Sequence, residues 1–369
     1  MNPVSRVAPV HGCALAAMLA LSAAQAATYP TLLGYWPTNE GSGTTIYDFS
    51  ANLNDGTFAA TTHAPTWSTG HTGSDIGLAF SSAAAQYLTI PDNASLHVGN
   101  SSNKPFTIGW WAYDNYSYYG TAWCFNSNNS SGGRGLFAQG PNYPADSHIY
   151  TTYSSNASWK MTNGLIWTAN AWHYLAVTWD GSTIKVFVDP QNQTTPAAAA
   201  SKACTASLSS WGTLYWGLDY TASADKFGGS LQRMTILDKA VATQADFTSL
   251  SAGTHAAQLG YWSGLGADTN WNNSDNWGGA LPSTRRPLIF DTSTALTNNN
   301  NFSANSKFAG IQFRASAGGF TLNGNALNLT GDVVNNSSAA QTISTPLVLD
   351  GGTRTFNAAA GDLLSLIHI

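Results

Sequence analysis

The sequence predicts an all-β protein built in two parts, and three observations carry that prediction. Apolar and polar residues alternate with period two along many short runs, as strands with one buried face require. Asn, Gly and Ser clusters separate these runs, and no stretch sustains an extended helical period. The aromatic residues are unevenly placed: eleven of the 14 Trp lie between Trp36 and Trp216, and three follow at Trp262, Trp271 and Trp277. No Trp or Tyr comes after Trp277, where the chain turns to Asn, Ala, Ser, Thr and Gly with regularly spaced Leu, Ile, Val and Phe. That shift places a boundary near Ala257.

Composition narrows the function. Of 369 residues only 9% are charged, against roughly 25% in an average soluble domain. Fourteen Lys and Arg spread over the chain, with a net charge of −5, cannot build the basic face that a nucleic-acid binder needs. Disorder is excluded by 43% hydrophobic and 12% aromatic residues, which can bury a sizeable core.

Residues 1–26 read as a secretory signal. Arg6 supplies the positive start, Cys13 to Leu21 an apolar stretch too short to span a bilayer, and Ala24-Gln25-Ala26 a cleavage site. No later window is apolar enough to span a membrane, so export to the cell surface or medium is expected. Cleavage leaves Cys124 and Cys204. In an oxidising compartment a disulfide between them leads, with two separate buried thiols as the alternative. It would close a loop of 204 − 124 = 80 residues, which is worth about 4 kcal/mol in the chain-entropy model.

Within residues 27–257 the clearest strands are Phe106-Thr-Ile-Gly-Trp-Trp-Ala-Tyr113 and Trp172-His-Tyr-Leu-Ala-Val-Thr-Trp179. Asp180-Gly181 makes a hairpin turn into the strand of Ile184, Val186 and Val188. Short strands over about 230 residues suit one large two-sheet sandwich. Three blocks then carry a family resemblance. Leu33-Gly-Tyr-Trp-Pro-Thr-Asn-Glu-Gly-Ser-Gly-Thr-Thr-Ile-Tyr-Asp48 with Ser50-Ala-Asn-Leu-Asn-Asp-Gly-Thr57, the Trp172–Asp189 hairpin, and Phe227-Gly-Gly-Ser-Leu231 with Ile236-Leu-Asp-Lys-Ala-Val241 resemble the laminin-G-like jelly rolls of the concanavalin A-like lectin/glucanase superfamily. The resemblance implies structural calcium near the opening Asp turn, with Asp48, Asp55 and Asp225 as ligands. Gln232 and Arg233 stand where the family usually carries two acids, and Arg233 would repel the ion. Asp residues capping their own turns are the alternative.

Residues 258–363 read as a stack of short strands that bury their apolar residues only against neighbouring turns, with Asn and Gly at the corners. Trp271-Asn-Asn-Ser-Asp-Asn-Trp277, Gly310-Ile-Gln-Phe313, Phe320 to Leu329 and Thr342 to Leu349 resemble autotransporter-associated β-strand repeats. Leu364-Ser-Leu-Ile-His-Ile369 resembles the in-frame translation of a sequencing adapter, so the natural chain is expected to continue past residue 363, with a genuine hydrophobic terminal strand as the alternative. The fold class is therefore all-β: an antiparallel two-sheet jelly-roll sandwich followed by a truncated β-solenoid.

Glycoside hydrolysis needs two carboxyl groups roughly 5–10 Å apart. The glucanase side of the superfamily uses paired glutamates on one strand, and Glu40 is this chain's only glutamate. The eight His show no zinc spacing. Catalysis is therefore not expected, and binding is. Aromatics crowd the chain between Asp114 and Trp159 among Gly, Asn and Ser, a mixture suited to sugars. Tyr118, Tyr119 and Trp123 are the candidate ligand-binding residues, with core packing as the competing account. Three readings stand: a glycan-binding or adhesive module of an exported bacterial protein, with a polysaccharide or cell-surface glycan as partner; a structural or protein-binding jelly roll; and a glycan-degrading enzyme, which the missing glutamates disfavour.

Overall fold

The computed structural model describes residues 31–99, 104–115, 120–126, 134–139, 148–151, 161–162, 168–205, 211–218, 226–255, 260–279 and 281–365. The first part is a sandwich of two eight-stranded antiparallel sheets. Across the first sheet the strands run Ala200–Ala203, Thr183–Val188, Trp172–Trp179, Phe106–Asp114, Gly229–Leu237, Ile76–Phe80 and Thr66–Thr69. The opening strand Leu32–Trp36 joins the second half of Gly229–Leu237, after Ile76–Phe80 has paired with its first half. Where the partner changes, the register shifts, and Arg233 takes a left-handed φ of 54°; such a bulge re-aims the side chains it carries. The second sheet runs Met161–Thr162, His148–Thr151, Arg134–Gln139, Thr121–Asn126, Leu214–Trp216, Leu88–Ile90, Gly56–Phe58 and Thr45–Ile46.

Period-two alternation sends one face of each sheet inward. The inner faces meet in a core of fully buried indoles, Trp36, Trp110, Trp123, Trp179 and Trp216. Trp36 meets Trp216 edge to face at 6.1 Å, and Trp110 meets Trp123 at 5.2 Å, the arrangement that aromatic quadrupoles favour. The first sheet buries its outer face too. Tyr35, Trp111, Tyr174 and Phe187 lie under the helix Gln244–Ala252, which packs through Phe247 and Leu250. That helix departs from the sequence expectation of no extended helical period. At nine residues it is too short to show one, yet its ends are marked: the Thr243 hydroxyl accepts from the Asp246 N–H, and Gly253 closes it at φ 72°. Among the described residues no helix is long and apolar enough to cross a membrane.

The second part is a β-solenoid with three parallel sheets. One face stacks Tyr261–Trp262, Leu288–Phe290, Ile311–Phe313, Val333–Asn335 and Phe356–Ala358. The next stacks Thr297–Asn300, Thr321–Gly324, Gln341–Ile343 and Leu363–Ser365, and the third Ser306–Phe308, Leu327–Leu329 and Leu347–Leu349. In-register pairs such as Leu288 with Ile311 and Ile311 with Val333 put like on like. Trp262, Trp271 and Trp277 are fully buried and close the first turn.

Asn does more here than shape corners. Asn298 Oδ1 accepts the Trp271 indole N–H at 2.8 Å. The buried Asn335 amide donates to the carbonyls of Ala339, Gly361 and Asp362. Gln341, also buried, accepts from the Phe320 N–H and donates to the Gly318 and Ala339 carbonyls. Neutral amides thus serve buried backbone groups without the cost of burying charge.

Phe290 joins the indole cap to the stack, with ring centroids 5.0–6.1 Å from Trp262, Trp271, Trp277, Phe313 and Phe320. Phe290→Ala is expected to cost about 3–5 kcal/mol, read as a lower denaturant midpoint; a change below about 1 kcal/mol would mean that the cap does not hold the stack.

Candidate functional site

The opening turn, expected to hold calcium, is built around the buried Asp48 carboxylate. Its Oδ1 accepts the N–H groups of Tyr35 (2.9 Å) and Ser50 (2.8 Å). Its Oδ2 accepts the Asn54 N–H (2.8 Å) and the Ser50 hydroxyl (2.7 Å). Burial pushes the Asp48 carboxyl above its usual pKa, and the three N–H groups counter it. Asp55 Oδ1 accepts the Asp48 N–H at 3.0 Å. The Arg285 guanidinium, from the solenoid side of the boundary, grips both Asp55 oxygens, with Nη2–Oδ2 at 2.6 Å, and donates to the Asp48 carbonyl at 3.0 Å.

These residues do not fit a calcium ion in this arrangement. Calcium needs several free oxygens, and here protein donors use the carboxylates while Arg285 supplies the positive charge. Asp225 lies outside the described residues. Among the described residues no group of three or more His, Cys, Asp or Glu is placed to hold a metal.

Gln232 and Arg233 serve a different carboxylate. Gln232 Nε2 donates to Asp75 Oδ2 at 2.7 Å, and its Oε1 lies 2.8 Å from His71 Nδ1. Arg233 reaches Asp75 at 3.5 Å and donates to the Ser251 carbonyl at the helix end. Burial opposes the Asp75 charge, but bonds from Thr72 and Gln232 outweigh it and hold the carboxyl below its usual pKa. The His71 ring lies flat on Trp111, 4.0 Å between centroids. These contacts account for Gln232 and Arg233 as parts of a local network on the first sheet.

Two expectations about the aromatic and cysteine positions are corrected. Trp123 is 1% exposed and packed on Trp110, so it is core and not a ligand platform; its neighbour Phe125 shares the inner face. Tyr118 and Tyr119 lie outside the described residues. The Cys124–Cys204 bridge is not formed. Cys124 falls between Trp123 and Phe125 and so faces away from the core of the second sheet, whereas Cys204 follows a strand of the first sheet and packs inside the sandwich. Glu40 accepts the Tyr47 N–H at 2.8 Å and so braces the opening turn, and burial raises its pKa.

An aromatic strip that the sequence reading missed lies on the outer face of the second sheet. Leu214 and Trp216 point inward, which forces Tyr215 outward; Leu88 does the same for Tyr87 and Thr89. The Tyr215 and Tyr87 rings are 6.0 Å apart, and the exposed His63 ring is 6.4 Å from Tyr87. Register places Thr45, Thr57, Thr89 and Tyr215 in one cross-strand row, so hydroxyls flank the rings and none of these positions is charged. His63 Nδ1 is 2.7 Å from the Ala84 carbonyl. A carbonyl only accepts, so Nδ1 carries the proton and Nε2 of the neutral ring is left as an acceptor. The sequence signal was present in Tyr87-Leu-Thr-Ile90, whose outward positions hold a ring and a hydroxyl. A separate cleft of about 430 Å³ is lined by Leu33, Ser95, His97, Lys104 and Asp238.

With Asp48 and Asp55 so occupied, millimolar calcium or its chelation is expected to leave the thermal midpoint unchanged. A calcium-dependent rise of several degrees would show that the turn exchanges Arg285 for the ion.

A model described as the concanavalin A-like lectin/glucanases superfamily matches residues 82–246. No curated protein matches the sequence. Among solved structures, domain 4 of the extracellular arabinanase AbnA from Geobacillus stearothermophilus, in complex with arabinotriose, is 13% identical, with a TM-score of 0.44 over 60% of this chain and 99% of that one. The binding domain of Paraclostridial Mosquitocidal Protein 1 is 12% identical, with a TM-score of 0.44 over 60% of this chain and 51% of that one. A Trypanosoma rangeli sialidase bound to an inhibitor is 12% identical, with a TM-score of 0.41 over 59% of this chain and only 32% of its own length. The chain is a two-sheet β-sandwich, similar over residues 82–246 to the concanavalin A-like superfamily, followed by a β-solenoid.

Proposed function

We propose that the sandwich is a non-catalytic module that binds a neutral glycan, carried by an exported bacterial surface protein in which the autotransporter-repeat-like solenoid acts as the stalk. The observation that carries this reading is the strip of Tyr215, Tyr87 and His63 on the outer face of the second sheet, beside the row of Thr45, Thr57 and Thr89. Sugar C–H faces stack on such rings, while hydroxyls and an imidazole acceptor take the sugar's O–H groups. The uncharged row favours neutral sugars over acidic ones. The non-catalytic part of this reading is supported by the single glutamate of the chain, Glu40, which braces a turn.

The test is affinity electrophoresis and a glycan array with the full chain. Retardation by at least one neutral polysaccharide is expected, with Tyr87→Ala and Tyr215→Ala each weakening binding roughly five- to tenfold. A folded protein silent on every glycan would favour the structural or protein-binding reading. Release of reducing ends would establish the enzyme instead.

A further inference from the structure

We propose that the opening turn of the sandwich is a receptor for the consecutive arginines Arg285 and Arg286, and that this contact locks sandwich and solenoid into one cooperatively unfolding unit. These two form the one adjacent pair among the chain's 14 basic residues. Both meet the start of the sandwich, Arg285 at the opening turn and Arg286 at Phe49 of that turn and Tyr35 of the opening strand.

Arg285 makes the fork-on-carboxylate contact with Asp55 and the bond to the Asp48 carbonyl, and its guanidinium carbon lies 4.9 Å from the Tyr47 ring centroid. A bidentate pair with an added carbonyl is far more specific than a lone surface ion pair. Arg286 stands beside it, 5.4 Å from the Tyr35 ring and 5.2 Å from Phe49, within cation–π range. Tyr35 and Phe49 are themselves tied by the Phe49 N–H to the Tyr35 carbonyl at 2.7 Å.

The arginine loop is preorganised from the solenoid side. Pro282 and Pro287 fix φ at its two ends. The Arg286 N–H donates to the Ser283 carbonyl, and the Arg286 carbonyl accepts from Ala309 in the next turn. The loop then runs directly into the buried strand Leu288–Phe290. An apolar seam of Leu32, Phe49, Leu281 and Pro287 flanks the arginines, with about 10 Å³ of residual space, the lower limit for one water. Orientation is thus set by the apolar seam and by two directed guanidinium groups together. A glycan-binding face would then be held at a fixed angle to the solenoid.

The test is calorimetry of the full chain with Arg285→Ala, Arg286→Ala, Asp55→Ala and their combinations, folding being checked by circular dichroism. The wild type is expected to unfold in one transition. Arg285→Ala with Arg286→Ala should split it in two and hasten proteolysis between residues 255 and 260. Arg285→Ala and Asp55→Ala should be strongly non-additive, because each removes the same contact, and Arg285→Lys should restore only part of the loss. Two independent transitions in the wild type would overturn the proposal, as would fully additive Arg285 and Asp55 effects with an unsplit transition in the double arginine variant.

Discussion

The indole layer at the centre of the sandwich is the constraint on which the rest depends. Trp216 against Trp36, and Trp123 against Trp110, fix which residues of the second sheet face inward. A slip of one residue would put indoles in water and hydroxyls in the core. Because that register is held, Tyr215, Tyr87 and the threonine row must lie outside. The same constraint removes Trp123 from any binding surface and turns Cys124 away from Cys204. One packing choice therefore decides which side chains face outward from the second sheet and where Cys124 lies.

The scarcity of charge has a counterpart in how polar groups are satisfied. In the solenoid, Asn298, Asn335 and Gln341 do inside the stack what charged side chains could do only at a large desolvation cost. In the sandwich the few charges are placed individually. Asp48 draws four donors around one carboxylate, Asp75 binds Gln232 and Arg233, and Arg285 reaches across to Asp55. Little charge is spread over the strip, which suits a surface that would meet uncharged hydroxyl-rich chains.

Much of the fold was legible because alternation is a local signal. The Trp172–Trp179 hairpin with its Asp180-Gly181 turn and the stack of short strands both follow from patterns within a few residues. The nine-residue helix escaped because its period is too short to register, although Thr243, Asp246 and Gly253 marked its ends. The site was less legible. Trp123 stands in a stretch rich in Gly, Asn and Ser that suggests surface, yet Thr121–Asn126 is an interior strand of the second sheet and Trp123 faces the core. Arg285 meets Asp55 across 230 positions, and no spacing rule reaches that far. Tyr87 and Tyr215 become neighbours only when Leu88–Ile90 and Leu214–Trp216 pair.

The claim that the outer face of the second sheet is the ligand surface is tested most directly by a hydrogen-exchange footprint of the full chain with a bound neutral oligosaccharide. Added protection confined to residues 57–63, 87–89 and 214–216 is predicted. Protection centred instead on the cleft of Leu33, His97, Lys104 and Asp238, with the strip unchanged, would contradict it.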